Sequence, residues 1–211
     1  MYNTLLNKIT PFIQLARYDK PVGFMLLFWP CTWSLLLYSL YIEQLAPISF
    51  FILFFIGSII MRGAGCTWND FLDKEYDKNV IRTKDRPLAS NKIKTIAAMV
   101  FLLVQLLIGL LILIQFNKLT IILGCLALIP VFIYPLMKRI TWWPQVFLGI
   151  TFNWGALLGW LSLSNDFSSI YPIMLYLACI FWTIGYDTIY AHQDKDDDFL
   201  LNLKSSAIKL G

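Results

Sequence analysis

Acidic residues are few in this chain, and they are not spread along it. Of thirteen Asp and Glu, ten fall in two short stretches: Asp70, Asp73, Glu75, Asp77 and Asp85 in the first, Asp187, Asp194, Asp196, Asp197 and Asp198 in the second. On a helix the four-residue recurrence of Asn69, Asp73 and Asp77 spreads them over only about 80° of arc, with Asp70 on the same side. Asp187, Asp194 and Asp198 follow one another at seven and four residues, again on one helical face. A carboxylate face repels itself unless something cationic sits among the acids. The guest these oxygens suit is Mg²⁺, a hard ion that takes carboxylates but keeps places for water and substrate phosphates. Two such clusters suit a pair of Mg²⁺ ions gripping a diphosphate. Bases to neutralise a leaving diphosphate are at hand in Arg82 and Arg86, after the first cluster, and in Lys138 and Arg139. Charge runs are ordinarily solvated loops. The helical period of the acids, and their position beside apolar segments, argue here for a divalent-metal site.

The elements that must position these clusters are membrane helices. The chain has 211 residues, 58% of them hydrophobic and only 14% charged, about half the usual charged share. That composition excludes a water-soluble domain, a disordered chain, a disulfide-stapled module and a collagen-like fibre. Six windows are apolar enough to cross a bilayer as helices, near 22–42, 48–65, 95–115, 119–137, 146–163 and 170–190. Strand-period alternation is absent, so a barrel is not expected. The expectation is an all-α polytopic bundle in a lipid bilayer. Each acidic stretch follows, or begins within, the end of one of its helices.

Sixteen of the seventeen Lys and Arg lie on one side of this arrangement, and only Lys118 lies on the other. The positive-inside rule therefore puts both termini and the 66–94 connection in the cytoplasm. The net charge of +4 is then membrane orientation, and no nucleic-acid partner is expected. The first 20 residues lack the pattern of a cleavable signal, and Leu5 to Leu15 reads as a weakly amphipathic surface helix. Cys31, Cys66, Cys125 and Cys179 are isolated and read as buried small hydrophobes. His192, the single histidine, has no Cys or His at zinc spacing.

Asn69-Asp70-Phe71-Leu72-Asp73-Lys74-Glu75-Tyr76-Asp77 resembles the first aspartate-rich motif, NDxxDxxxD, of the UbiA family of intramembrane prenyltransferases. The run from Asp187 through Tyr190, Ala191 and Asp194 to Asp198 is similar to its second, DxxYAxxDxxxD. Shorter matches run in order along essentially the whole chain. They include Arg17 with Lys20-Pro21-Val22-Gly23, Met61 to Cys66, Arg82-Thr83 with Arg86-Pro87-Leu88, Tyr134-Pro135 with Lys138-Arg139, Pro144-Gln145 and Phe152 to Gly155.

The resemblance implies one membrane-embedded domain over 1–211 with about six of the family's nine spans, C-terminally incomplete. It implies a polyprenyl diphosphate bound with its tail in an apolar cavity and its head at the cytoplasmic mouth. Asn69, Asp73, Asp194 and Asp198 are then the foremost Mg²⁺ ligands, with Asp70 and Asp77 the next ligands after them. Arg82, Arg86, Lys138 and Arg139 would hold the diphosphate, Asp187 and Tyr190 would face the reacting carbon or the acceptor, and Arg62 would stand at the mouth of the pocket. The nearest branch prenylates 4-hydroxybenzoate ortho to its hydroxyl in ubiquinone biosynthesis, in the bacterial inner (cytoplasmic) membrane or its mitochondrial equivalent. Three alternatives stay open: another UbiA-type acceptor, an inactive truncated product, and a divalent-cation transporter. Acids gathered on one face beside Arg and Lys weigh against the transporter.

Overall fold

The computed structural model describes residues 2–164, 166–200 and 203–210; the side chains of residues 2–7, Asp194 and Asp197 lie outside the described ones. Among the described residues every regular element is helical: α1 (Tyr2–Ala16), α2 (Val22–Ile42), α3 (Ile48–Leu72), α4 (Lys74–Asp77), α5 (Thr95–Leu113), α6 (Lys118–Leu126), α7 (Leu128–Ile133), α8 (Met137–Ile140), α9 (Pro144–Phe152), α10 (Gly155–Ser164), α11 (Tyr171–Ala191), α12 (Lys195–Leu200) and α13 (Ser206–Leu210). Among the described residues six stretches are long and apolar enough to cross a membrane: Val22–Ile42, Ile48–Leu72, Thr95–Leu113, Lys118–Ile140, Pro144–Ser164 and Tyr171–Ala191. The chain is a multi-pass membrane protein. Large apolar side chains such as Leu40, Ile96 and Phe181 stay exposed on these helices, as a surface facing lipid requires.

The helices fall into two compact units, one of residues 1–25 and 56–112, the other of residues 26–55 and 113–211. In the first unit Leu15, Leu88, Ile93 and Ala98 form a buried cluster, with Phe12, Phe71 and Phe101 packed against it. The cluster anchors the polar 78–94 connection, most of which is otherwise exposed, at one segment: Leu88 is fully buried and Ala89 and Ile93 are each 5% exposed. Helix α1 ends in a Schellman turn, with the Tyr18 amide donating to Ile13 O and the Arg17 amide to Gln14 O. The left-handed position of that turn, which glycine usually fills, is Arg17 at φ 54°.

In the second unit the expected spans are interrupted. The 119–137 window is broken between α6 and α7, and again where Tyr134–Leu136 turn as a 3₁₀ helix. Pro130 and Pro135 lack the amides a continuous helix needs. Asn117 caps α6 by accepting from the Thr120 amide at 3.0 Å, and its Nδ2 donates to Leu161 O at 2.6 Å, tying α6 to α10. The 146–163 window breaks between α9 and α10 at Asn153. Its Nδ2 lies within hydrogen-bond distance of Gly149 O (2.8 Å), Cys179 O (3.1 Å) and Thr183 Oγ1 (2.7 Å). Three of the four cysteines are buried as expected, but Cys125 is exposed on α6. A short side chain on a lipid-facing helix surface needs no partner there.

Candidate functional site

Helix α3 continues well past the window that ends at 65 and carries Asn69 and Asp70 in its last turn. The acidic face is not one uninterrupted helix. Asp73 leaves helical geometry at φ −94°, ψ 3°, and α4 starts after it. Two backbone bonds nevertheless preserve the four-residue rhythm, from the Asp73 amide to Asn69 O (2.9 Å) and from the Asp77 amide to Asp73 O (2.8 Å). The acids therefore still align, and they are buried: Asp70 is 2%, Asp73 1% and Asp77 6% exposed.

Buried carboxylates need cations or donors, and the first unit supplies arginines. Arg17 Nη2 donates to Asp70 Oδ1 at 2.7 Å. Arg86 Nη1 reaches the same oxygen at 3.2 Å and Asp77 Oδ2 at 2.8 Å. Burial pushes the Asp77 carboxyl above its ordinary range; the Arg86 guanidinium opposes this, and Asp70 and Asp73 add to it. Asn69 Nδ2 donates to Asp73 Oδ2 at 3.3 Å. Glu75, on the outer side of α4, instead makes a surface pair with Lys78 at 2.8 Å, which holds its carboxyl below the usual range.

Arg86 thus lies inside the acid cluster, while Arg82 lies exposed in the turns after Asp77. What brings Arg86 inward is the buried Pro87-Leu88-Ala89 segment that follows it, closed by the Ile93 amide on Pro87 O (3.1 Å). In the sequence Arg17 stands out only as part of a run before the first span. Its pairing with Asp70 depends on the turn that ends α1, which no residue spacing displays.

Arg17's neighbour Tyr18 anchors the same corner. Its hydroxyl accepts from Gln105 Nε2 at 3.0 Å, and Thr67 Oγ1 donates to Gln105 Oε1 at 3.2 Å. Gly63 makes the close approach possible, because a Cβ there would strike both the Tyr18 hydroxyl and the Gln105 amide. Burial raises the Tyr18 hydroxyl above its ordinary pKa, against the Gln105 hydrogen bond.

In the second unit, Asp187 is half-buried near the end of α11 and Tyr190 is 52% exposed. The motif does not continue as one helix: His192–Asp194 turn as a 3₁₀ helix before α12, so Asp194 and Asp198 leave the helical register of Asp187. The side chain of Asp194 lies outside the described ones, and Asp198 is half-buried. Lys138 and Arg139 occupy the last turn of α8, both half-buried.

The segment after the second motif joins these parts. The Lys204 amide donates to Lys138 O at 2.7 Å and Lys204 Nζ to Ile140 O at 2.9 Å. Ser206 meets Gln145 Oε1 through its amide and the Thr188 hydroxyl through its own, the latter at 2.8 Å. Lys204 and Lys209 both stand over the Trp142 ring.

Among the described residues no three His, Cys, Asp or Glu side chains converge as a metal cage. The donors of the first motif still fit Mg²⁺ in kind. They are hard oxygens, few in number, with arginines beside them that would balance an added phosphate. One adjustment is required, since Asn69 presents its amide nitrogen to Asp73 and a metal needs the amide oxygen turned there.

A family model described as the UbiA prenyltransferase family matches residues 27–211. The chain is 50% identical over 207 residues to the 4-hydroxybenzoate polyprenyltransferase, mitochondrial, of Drosophila melanogaster, covering 98% of this chain and 53% of that protein. It therefore spans about half the length of the curated relative it matches. Among solved structures it resembles a UbiA homolog from Aeropyrum pernix K1 in its apo form, with TM-score 0.76, 26% identity, and 89% of this chain and 69% of that chain covered. It shares the fold of a UbiA homolog from Archaeoglobus fulgidus bound to DMAPP and Mg²⁺, at TM-score 0.68 and 17% identity, over 95% of this chain and 69% of that one. With a family match over most of its length and the family's fold in its helices, the chain belongs to the UbiA prenyltransferase family.

Proposed function

We propose that this protein transfers a polyprenyl group from a polyprenyl diphosphate to the ring carbon ortho to the hydroxyl of 4-hydroxybenzoate, with Mg²⁺, as a step of ubiquinone biosynthesis. The observation that carries this reading is the 50% identity, over nearly the whole chain, to a protein named for that reaction. The buried first motif supports it, because three aspartates and two arginines gathered at the end of a membrane helix suit a diphosphate and its cations. The excess of Lys and Arg on one side of the expected spans supports a cytoplasmic position for both termini and the acidic motifs.

Mg²⁺, when bound, neutralises charge that develops on the departing diphosphate. The chain's own residues do the rest. Asn69, Asp73, Asp77, Asp194 and Asp198 offer oxygens to the metal, with Asp70 behind them. Arg82, Arg86, Lys138 and Arg139 bind the diphosphate oxygens and steady them as the allylic carbon–oxygen bond breaks. The membrane helices keep water from the allylic cation. The ring carbon attacks that cation, a carbon–carbon bond forms, and the ring proton leaves to the diphosphate or to a carboxylate, for which Asp187 is the candidate. Tyr190 stands three residues further along α11, where its ring would border the acceptor.

Membranes containing the protein, given Mg²⁺, a long-chain polyprenyl diphosphate and labelled 4-hydroxybenzoate, are expected to form a prenylated acid. The product should vanish with a chelator, and in Asp73→Ala and Asp194→Ala. Product that persists in both variants would overturn the assignment.

A further inference from the structure

We propose that Asp70 is a positioning residue and not a metal ligand: it fixes the Arg86 guanidinium over Asp77, where Arg86 stands in for the divalent cation until the cation arrives. The inference rests on the Mg²⁺ reading of the first motif given above.

The geometry that supports it is the sharing of donors. Asp70 Oδ1 takes Arg17 at 2.7 Å and Arg86 at 3.2 Å, while the same Arg86 nitrogen takes Asp77 Oδ2 at 2.8 Å. Side-chain exposure is 2% for Asp70, against 21% for Arg17 and 23% for Arg86. A dication at Asp70 would therefore stand in a buried spot beside two guanidinium charges, with little water to screen them. Among the described residues Asp77 pairs with the Arg86 guanidinium, and that one is shared.

Each arginine reaches Asp70 by means that do not involve a metal. Arg17 is aimed by the turn that closes α1, and it occupies the left-handed position there despite its side chain. Arg86 is aimed by the buried Leu88 and Ala89 and by the Ser90 hydroxyl and amide on Arg86 O, at 2.8 and 2.9 Å. Two independent pieces of backbone thus converge on one carboxylate, as a charge anchor requires. Arg86 meets Asp70 and Asp77 through the same nitrogen, so its positive charge serves both carboxylates. A divalent ion taking Asp77 must displace Arg86, and Asp70 keeps the displaced guanidinium close by, where a phosphate oxygen of the substrate can receive it.

Mn²⁺ binding, read by the loss of its free electron paramagnetic signal on titration into the purified full chain, tests this without any turnover. If Arg86 competes for Asp77, Arg86→Gln binds Mn²⁺ more tightly than wild type, by about tenfold for one charge-assisted hydrogen bond. If Asp70 acts through Arg86, then Asp70→Asn in the Arg86→Gln background leaves Mn²⁺ affinity within about threefold. A loss of about tenfold or more in that background makes Asp70 a ligand and overturns the proposal, as does an Arg86→Gln variant that binds no more tightly than wild type. Should the double variant fail to accumulate, Asp70→Glu in the Arg86→Gln background replaces it. A carboxylate one methylene longer still pairs with Arg17, whereas a metal ligand so displaced loses affinity by the same tenfold measure. Failure of the metal reading itself looks different, since wild-type protein would then take up no Mn²⁺ at all.

Discussion

Tyr18 and Gln105 meet through a 3.0 Å hydrogen bond that joins the segment ahead of the first span to the interior of α5. Gln105 is 2% exposed, and in a membrane helix such an amide has no water to turn to. Tyr18→Phe is expected to leave the Gln105 amide short of an acceptor and to cost about 1–3 kcal/mol. Gln105→Leu costs a similar amount by orphaning the Tyr18 hydroxyl. The double variant should be no worse than the worse single, because each change removes the group the other leaves unpaired. Thermal unfolding of the three variants in detergent checks this, and additive losses would count against the bond.

Gly63 lies beneath that bond. Gly63→Ala would drive a methyl into both partners, and it is expected to destabilise by about 1–3 kcal/mol. In a Tyr18→Phe/Gln105→Leu background the penalty should shrink without vanishing, because the colliding hydroxyl and amide are gone while the ring edge of residue 18, 2.7 Å from that Cβ, remains. The same unfolding measurement reads the difference.

How much of this was legible beforehand depended on range along the chain. The six membrane stretches could be read because apolar runs are local, and the acids could be placed because Asn69, Asp70, Asp73 and Asp77 are near neighbours in sequence. The break at Asn153 could not, because its cause is a side chain bonding to Cys179 and Thr183 on another helix. The sequence grouped Arg82 with Arg86 as equivalent bases. Only the burial of Leu88 and Ile93 separates them, by turning Arg86 toward Asp70 and Asp77 and leaving Arg82 outside. The pairing of Arg17 is hidden by range, since it stands 53 positions from Asp70 along the chain.

Arg17 combines an ion pair with a backbone conformation that suits glycine. Arg17→Ala and Arg17→Gly both remove the guanidinium from Asp70, but only alanine retains the Cβ that makes φ 54° costly. Arg17→Gly is therefore expected to be more stable than Arg17→Ala by about 1 kcal/mol. Equal stability of the two would mean that the turn relaxes once the ion pair is lost, and parallel unfolding curves decide it.

The Asp77 carboxyl has its folded pKa raised above the ordinary 3.8, chiefly by burial. With metal removed by a chelator, the folded protein holds a proton on Asp77 over a range where the unfolded chain has released it. Stability from this group is therefore fully present below 3.8 and is lost as pH rises through the higher folded value. Other carboxylates, such as Glu75 with its lowered pKa, have the opposite slope, so the informative quantity is wild type minus Asp77→Asn. That difference in unfolding temperature is expected to fall as pH rises from about 4 toward neutrality. A difference that grows over the same range would mean that the Arg86 guanidinium outweighs burial at Asp77.

Asn153 offers the sharpest test in the second unit, because its Nδ2 faces only acceptors or potential acceptors in Gly149 O, Cys179 O and Thr183 Oγ1. Asn153→Ala removes the donor, leaves the carbonyls under-satisfied, and is expected to cost about 1–3 kcal/mol. Asn153→Asp is nearly the same size but turns acceptor oxygens, and at neutral pH a charge, toward the same carbonyls in a site only 4% exposed. It should be the more damaging of the two, and it should recover toward wild type when the pH is low enough to protonate the carboxyl into a donor. Because Cys179 and Thr183 lie on α11, the helix that carries Asp187 and Tyr190, Asn153→Asp should also lower the proposed prenyl transfer before it unfolds the protein. Equal stability of the alanine and aspartate variants at neutral pH would show that Asn153 fills space there and does not hold α11 through its amide.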